Sequence, residues 1–357
     1  MNYKSHIATL LYKNLFRPIA FQIDAEIVHD TITKLGENLE NQNSLLSWLF
    51  AFRDPALKRK VLGIDFENPT GLSAGFDYDG HLAKVLKYIG FGFNTVGTVT
   101  AKPYEGNPKP RLVRLPKSRS ILVNKGFKSE GAIAVAQRLD KKDLQGHTVG
   151  ISIGSTNSPK VNTINKAIDD YTFSFDIFKK KKYIKYFELN ISCPNTNMTE
   201  SFIEVQNFKN LVKEVTSLSM EKPIFVKMPN EIDAKKSDLL VEAALTQGIS
   251  GFIFSNLVKN RENRAFDQNE ILNVANLKGN FSGKPTTKGA NHLISHTRKK
   301  FGGNVAIIGC GGVFNTKDAL EKFSAGADLI QLITGIIFEG PQLISQICRD
   351  YQLHTHY

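Results

Sequence analysis

Eight short apolar runs, rich in Ile and Val and each ending in glycine or a polar side chain, recur over about 290 residues of this chain. They span Thr70 to Ala74, Thr95 to Val99, Thr148 to Ile153, Phe187 to Ile191, Ile224 to Lys227, Gly251 to Phe254, Val305 to Ile308 and Leu329 to Leu332. Helical patterns lie between several of them, as in Asn207 to Leu218, Asp238 to Gln247 and Thr316 to Ser324. Eight strands with crossover helices predict an α/β fold, a (β/α)8 TIM barrel. A doubly wound sheet is the alternative, but it requires a glycine-rich phosphate turn after the first strand. Gly71-Leu72-Ser73-Ala74-Gly75 lacks that GxGxxG order.

A barrel places its chemistry just past the strand ends. The fourth run stops at Asn190-Ile191-Ser192-Cys193-Pro194-Asn195, where Pro194 forbids a sheet interior and two carboxamides flank an ionisable thiol. The same residues also fit a strand followed by an Asx-Pro turn, with the thiol as buried filler. The fifth run ends in Lys227, which is costly to bury alone; it either pairs with a core carboxylate or faces an anionic or electron-rich ligand. The last two end in Gly309-Cys310-Gly311-Gly312 and Thr334-Gly335, whose unhindered backbone N–H groups suit a phosphate. A phosphate-bearing, electron-accepting ring such as FMN would use Lys227 and both glycine turns.

Three scattered cysteines form no disulfide framework and no metal-ligand spacing, so a reducing compartment and no metal are expected. No apolar run reaches the roughly 18 residues of a membrane span, and no secretory signal pattern opens the chain. The net charge of +12 would suit nucleic acid, anionic lipid or an anionic substrate. Part of it is local, as in Lys179 to Lys182, and no zinc-finger or RRM pattern favours nucleic acid as partner. Residues 1–55 read as a separate helical region ahead of a barrel over 56–357. Leu10, Leu11, Leu15 and Phe16 recur at helical spacing until Pro18, a second segment runs from Asp24 to Leu39, and an apolar cluster around Trp48 follows. This region is either a cap on the barrel or a peripheral membrane foot.

Gly71-Leu72-Ser73-Ala74-Gly75-Phe76-Asp77, Gly97-Thr98-Val99-Thr100, Lys109-Pro110-Arg111-Leu112-Val113-Arg114-Leu115, Asn190 to Asn195, Phe281-Ser282-Gly283-Lys284-Pro285 and Ile308-Gly309-Cys310-Gly311-Gly312-Val313 together resemble the dihydroorotate dehydrogenases. The similarity runs from about His29 to Pro341 with the motifs in the family's order, and the N-terminal helices resemble the membrane-associated, quinone-linked branch. The resemblance implies FMN-dependent oxidation of dihydroorotate to orotate in pyrimidine synthesis. It implies FMN contacts at Ala74, Gly75, Thr98, Ser152, Asn190, Lys227, Ser255, Gly283, Gly312, Thr334 and Gly335. Asn190, Asn195 and Asn256 would hold the pyrimidine's amide edges, and Cys193 would be the base at C5. A membrane quinone would enter near His29 and Arg114, and relatives of this branch are usually monomers on the cytoplasmic side of the cell membrane.

Several positions depart from the family pattern. Cys193 replaces the serine base of the quinone-linked branch, and an unperturbed thiol pKa of about 8.5 makes it the easier base at neutral pH. Tyr78 replaces a substrate-contacting lysine, Leu257 a threonine, Ile333 a tyrosine and Ser152 an asparagine. The family's Asn-Arg-Met-Gly-Phe loop is Val123-Asn124-Lys125-Gly126-Phe127, so Lys125 or Asn124 is expected to replace the missing charge and carboxamide beside Tyr78, Gly126 and Phe127. Two other readings stay open: an FMN barrel with an altered substrate, and a catalytically silent flavin-binding or interaction protein.

Overall fold

In a computed structural model that describes residues 3–355, the eight runs close on themselves as one parallel barrel. Thirteen strands are formed: β1 (Arg59–Val61), β2 (Ile64–Phe66), β3 (Thr70–Leu72), β4 (Phe93–Val99), β5 (Leu112–Leu115), β6 (Ser120–Val123), β7 (Thr148–Ile153), β8 (Ile184–Asn190), β9 (Ile224–Met228), β10 (Gly251–Phe254), β11 (Asn280–Gly283), β12 (Ala306–Cys310) and β13 (Leu329–Leu332). The barrel order is β3-β4-β7-β8-β9-β10-β12-β13, with β13 pairing back onto β3. These strands are buried almost throughout, which is why their sequences are continuous apolar runs rather than alternating ones.

Between barrel and helices lies a layer that includes Phe175, Phe178, Phe187, Phe208 and Phe252, all fully buried. Inside the barrel, the Tyr186 ring lies where a side chain on its register partner Gly150 would sit, so residue 150 has to be glycine. The antiparallel hairpin β1–β2 presses Phe66 against Phe93 and closes the base of the barrel. A small antiparallel sheet, β5-β6-β11, pairs strands distant in sequence, with Asn280 opposite Val123.

The N-terminal layer comprises α1 (Tyr3–Leu11), α2 (Arg17–Ala20), α3 (Ala25–Asn38) and α4 (Asn43–Phe50). Pro18, expected to interrupt the first segment, does not break it. The helix widens to a π turn over Tyr12–Phe16, and Pro18 falls at the start of α2, where a missing N–H is tolerated. Tyr12 donates its hydroxyl proton to Ile337 O at 2.8 Å, Arg17 donates to Phe338 O at 2.9 Å, and Lys13 pairs with Glu339, which Arg119 also holds. The layer is thereby moored on residues 337–339, in the helix that follows β13. Helix α3 lies against β5, and Leu46 of α4 is buried with Leu57, Leu82 and Leu86.

Candidate active site

Strand β8 ends where the chemistry is concentrated. Tyr171 donates its hydroxyl proton to Asn190 O at 2.6 Å, pinning the strand end, and Asn190 donates to Thr98 Oγ1 at 3.1 Å. Thr98 in turn bonds Ser152 Oγ at 2.9 Å. Asn256 donates to Ser192 Oγ at 3.0 Å, and Ser192 donates to Lys227 O at 2.6 Å. Cys193, Asn190, Asn195 and Asn256 line one cavity of about 560 Å³. Cys193 is therefore at the wall of a void rather than sealed into hydrocarbon. Burial pushes its thiol up to about 12, opposed in part by the Asn195 amide. The expectation of an easily ionised base is corrected by that burial: at pH 7 this group is a neutral thiol.

Beneath the carboxamides, the Lys227 ammonium is 6% exposed and its hydrogen bond goes to Ser73 Oγ at 3.3 Å. No carboxylate pairs with it among the described residues, so the core ion-pair reading does not hold. Ser255 accepts from Asn230 Nδ2 at 2.5 Å. Past β12, Gly312 has φ +74°, and a Cβ there would strike Thr287. A Cβ on Gly283 would meet Arg119 O and Thr334, and one on Gly335 would strike Val313 O, so these turns pack too closely for any side chain. A buried ammonium without an anion and glycine turns at the same end of the barrel fit a ring that carries a phosphate.

Across the cavity, Tyr78, Lys125, Gly126 and Phe127 also line the wall. Lys125 Nζ lies 5.0 Å from the centre of the Tyr78 ring and 2.5 Å from Glu26 Oε1 of α3. Asn124 does not line the cavity; its Oδ1 accepts from Asn107 Nδ2 at 3.0 Å. Asn280 donates to Asn195 Oδ1 at 2.6 Å and so adds a carboxamide to this side.

The cavity continues between the N-terminal helices, past Tyr12, Phe16, Val28 and Phe50. His29 and Arg114 stand on its wall. His29 Nε2 is 2.7 Å from Phe76 O, and burial pulls the imidazole below its usual range. Arg114 donates to Ile23 O at 2.7 Å and covers the Phe21 ring. Ala74, Gly75, Thr98 and Thr334 line the same void, whereas Ser152, Lys227, Ser255, Gly283, Gly312 and Gly335 do not.

Fold and site together define a class: a (β/α)8-barrel oxidoreductase built around FMN. A sequence model of the family described as dihydroorotate dehydrogenase matches residues 56–353. Similar proteins include the dihydroorotate dehydrogenase (quinone) of Christiangramia forsetii, 36% identical over 345 residues and covering 94% of this chain and 97% of the relative. That of Synechococcus sp. strain JA-3-3Ab is 34% identical over 349 residues, covering 95% and 92%. Among solved structures, DHODH from Eimeria tenella in complex with ferulenol superposes with a TM-score of 0.80 at 25% identity, covering 96% of this chain and 92% of that one. The chain belongs to the dihydroorotate dehydrogenase family.

Sequence reasoning missed Ser73, Glu26, Arg111 and Asn280. Ser73 follows β3 by one residue, so strand-end position was a signal for it. Glu26 and Asn280 act across the fold, and Arg111, though inside a family motif, carries no local sign of its partner.

Proposed function

We propose that this protein oxidises dihydroorotate to orotate in pyrimidine biosynthesis and delivers the electrons to a membrane quinone. The observation that carries this reading is one continuous void, in which Cys193 and three carboxamides share space with the apolar interval between the N-terminal helices. When bound, FMN supplies the two-electron acceptor for the hydride that leaves C6. Cys193 Sγ, as thiolate, takes the C5 proton, and the C5=C6 double bond forms as both depart. Asn190, Asn195 and Asn256 orient the ring's amide edges, each offering a donor and an acceptor. Lys125, poised over Tyr78, receives the carboxylate. It thus supplies the charge absent at position 78, which favours dihydroorotate over an altered substrate. Ala74, Gly75, Thr98, Ser152, Asn190, Lys227 and Ser255 hold the flavin, while Gly283, Gly312, Thr334 and Gly335 leave its phosphate open backbone.

The quinone enters between α1 and α3 past His29 and Arg114, and residues 1–55 act as the acceptor module on the 56–357 barrel. Twelve of the seventeen exposed large apolar side chains among the described residues lie before residue 50, among them Leu11, Leu15, Ile19 and Trp48. No described helix is long and apolar enough to cross a membrane. The exposed apolar face supports a peripheral membrane foot, which we place on the cytoplasmic side of the cell membrane. We read the protein as a monomer, in keeping with the resemblance to the quinone-linked branch.

Anaerobic mixing tests the reading. Dihydroorotate is expected to bleach the flavin absorbance, and a short-chain quinone to restore it. Bleaching by another reductant but never by dihydroorotate would overturn the substrate assignment, and a folded protein purified without flavin would favour the silent interaction protein.

A further inference from the structure

The ammonium of Lys125 is held from outside the barrel. Glu26, the carboxylate 2.5 Å from its Nζ, is 5% exposed and does not line the cavity. The same Oε1 accepts from Arg111 Nη1 at 3.1 Å. Two cations on one carboxylate leave a single positive charge beside the carboxamides, which is what a monocarboxylate neutralises. The placement of Glu26 comes from a helix start. Asp24 Oδ1 accepts from the Glu26 and Ile27 amides at 2.9 and 3.1 Å, capping α3 so that Glu26 falls in its first turn.

The titratable and charged groups facing Lys125 are Glu26, His29 and Asp30 of α3, Lys128 of its own loop, Arg111 ahead of β5 and Tyr78 after β3. Among the described residues Glu26 is the one that forms an ion pair with it. Burial pulls the Lys125 ammonium down, and Glu26 is the main influence holding it up. Burial likewise opposes ionisation of Glu26, but Lys125 and Arg111 prevail and hold its carboxyl below the usual range.

We infer that Glu26 is a positioning residue for the pyrimidine site: it keeps Lys125 Nζ charged and fixed at the cavity wall, so that the cation receiving the substrate carboxylate is set by the N-terminal helical layer. This rests on the dihydroorotate reading above. It makes α3 part of substrate recognition as well as a wall of the acceptor route, and the barrel alone presents an incomplete pyrimidine site.

The holoenzyme tests this with Glu26→Gln. The KM for dihydroorotate is expected to rise about tenfold at pH 7 while kcat stays within about threefold, the split that marks lost binding rather than lost chemistry. The KM defect grows as pH rises, because Lys125 without its partner sheds its proton sooner. Calorimetric titration with orotate weakens by the same factor, and the KM for a short-chain quinone is unchanged. In a Lys125→Met background, Glu26→Gln adds no further loss of orotate affinity. Wild-type orotate affinity in Glu26→Gln, or losses that multiply in the double variant, would overturn the inference. Should Glu26→Gln not fold, Glu26→Asp keeps the charge with a shorter reach. It is expected to weaken orotate binding about threefold in the wild-type background and not at all beside Lys125→Met; equal weakening in both refutes it. A wild type that neither binds orotate nor is bleached by dihydroorotate overturns the substrate reading itself, and this inference with it.

Discussion

In the proposed reaction Cys193 accepts a proton at a site that holds its own tightly, since burial pushes the thiol up to about 12. The sign follows directly: the folded pKa lies above any neutral assay pH, so the active thiolate is a minor form that grows as pH rises. Flavin reduction by dihydroorotate, followed by stopped flow, is expected to quicken about tenfold per pH unit between pH 7 and 9. Cys193→Ala should slow it by roughly 10²- to 10⁴-fold with flavin still bound. Cys193→Ser should keep measurable reduction, with its profile displaced to higher pH. Residues like Cys193 and Lys227 are legible in sequence because a strand end announces them. Glu26 is not, because it meets Lys125 across 99 residues of chain, and locally it is one acidic residue in the first turn of a helix. Asn280 hides similarly: its relation to Asn195 depends on the pairing of β11 with β6, which no short window contains.

The barrel strands were readable as elements because burial on both faces writes itself as unbroken Ile and Val runs, and three of the eight keep their expected bounds. The hairpin β1–β2 and the sheet β5-β6-β11 escaped notice. Their strands are three or four residues long, several are only half-buried, and β11 lies more than 150 residues from β6. At this scale Gly312→Ala is a sharp probe. A Cβ at φ +74° meets both backbone strain and Thr287, so flavin content per protein should fall markedly while the far-ultraviolet circular dichroism persists. The N-terminal helices offer another. Leu11→Asp with Leu15→Asp is expected to abolish sedimentation with anionic vesicles, leaving flavin bleaching by dihydroorotate intact, because both side chains face outward.

Across the whole molecule, cofactor and fold are linked, since the turns that would meet the phosphate follow β12 and β13, the strands that close the barrel onto β3. FMN at a hundredfold its Kd should stabilise the holo form by about 2.7 kcal/mol, read as a rise of several degrees in Tm over flavin-stripped protein. The mooring of the N-terminal layer on residues 337–339 places its anchorage within one short helix of Thr334 and Gly335. Flavin binding beside Thr334 and Gly335 is therefore expected to tighten the anchorage of the N-terminal layer. Trypsin cutting between Ala20 and Pro55 is expected to slow when FMN is added back to flavin-stripped protein, the sign that one small ligand stiffens a segment it never touches.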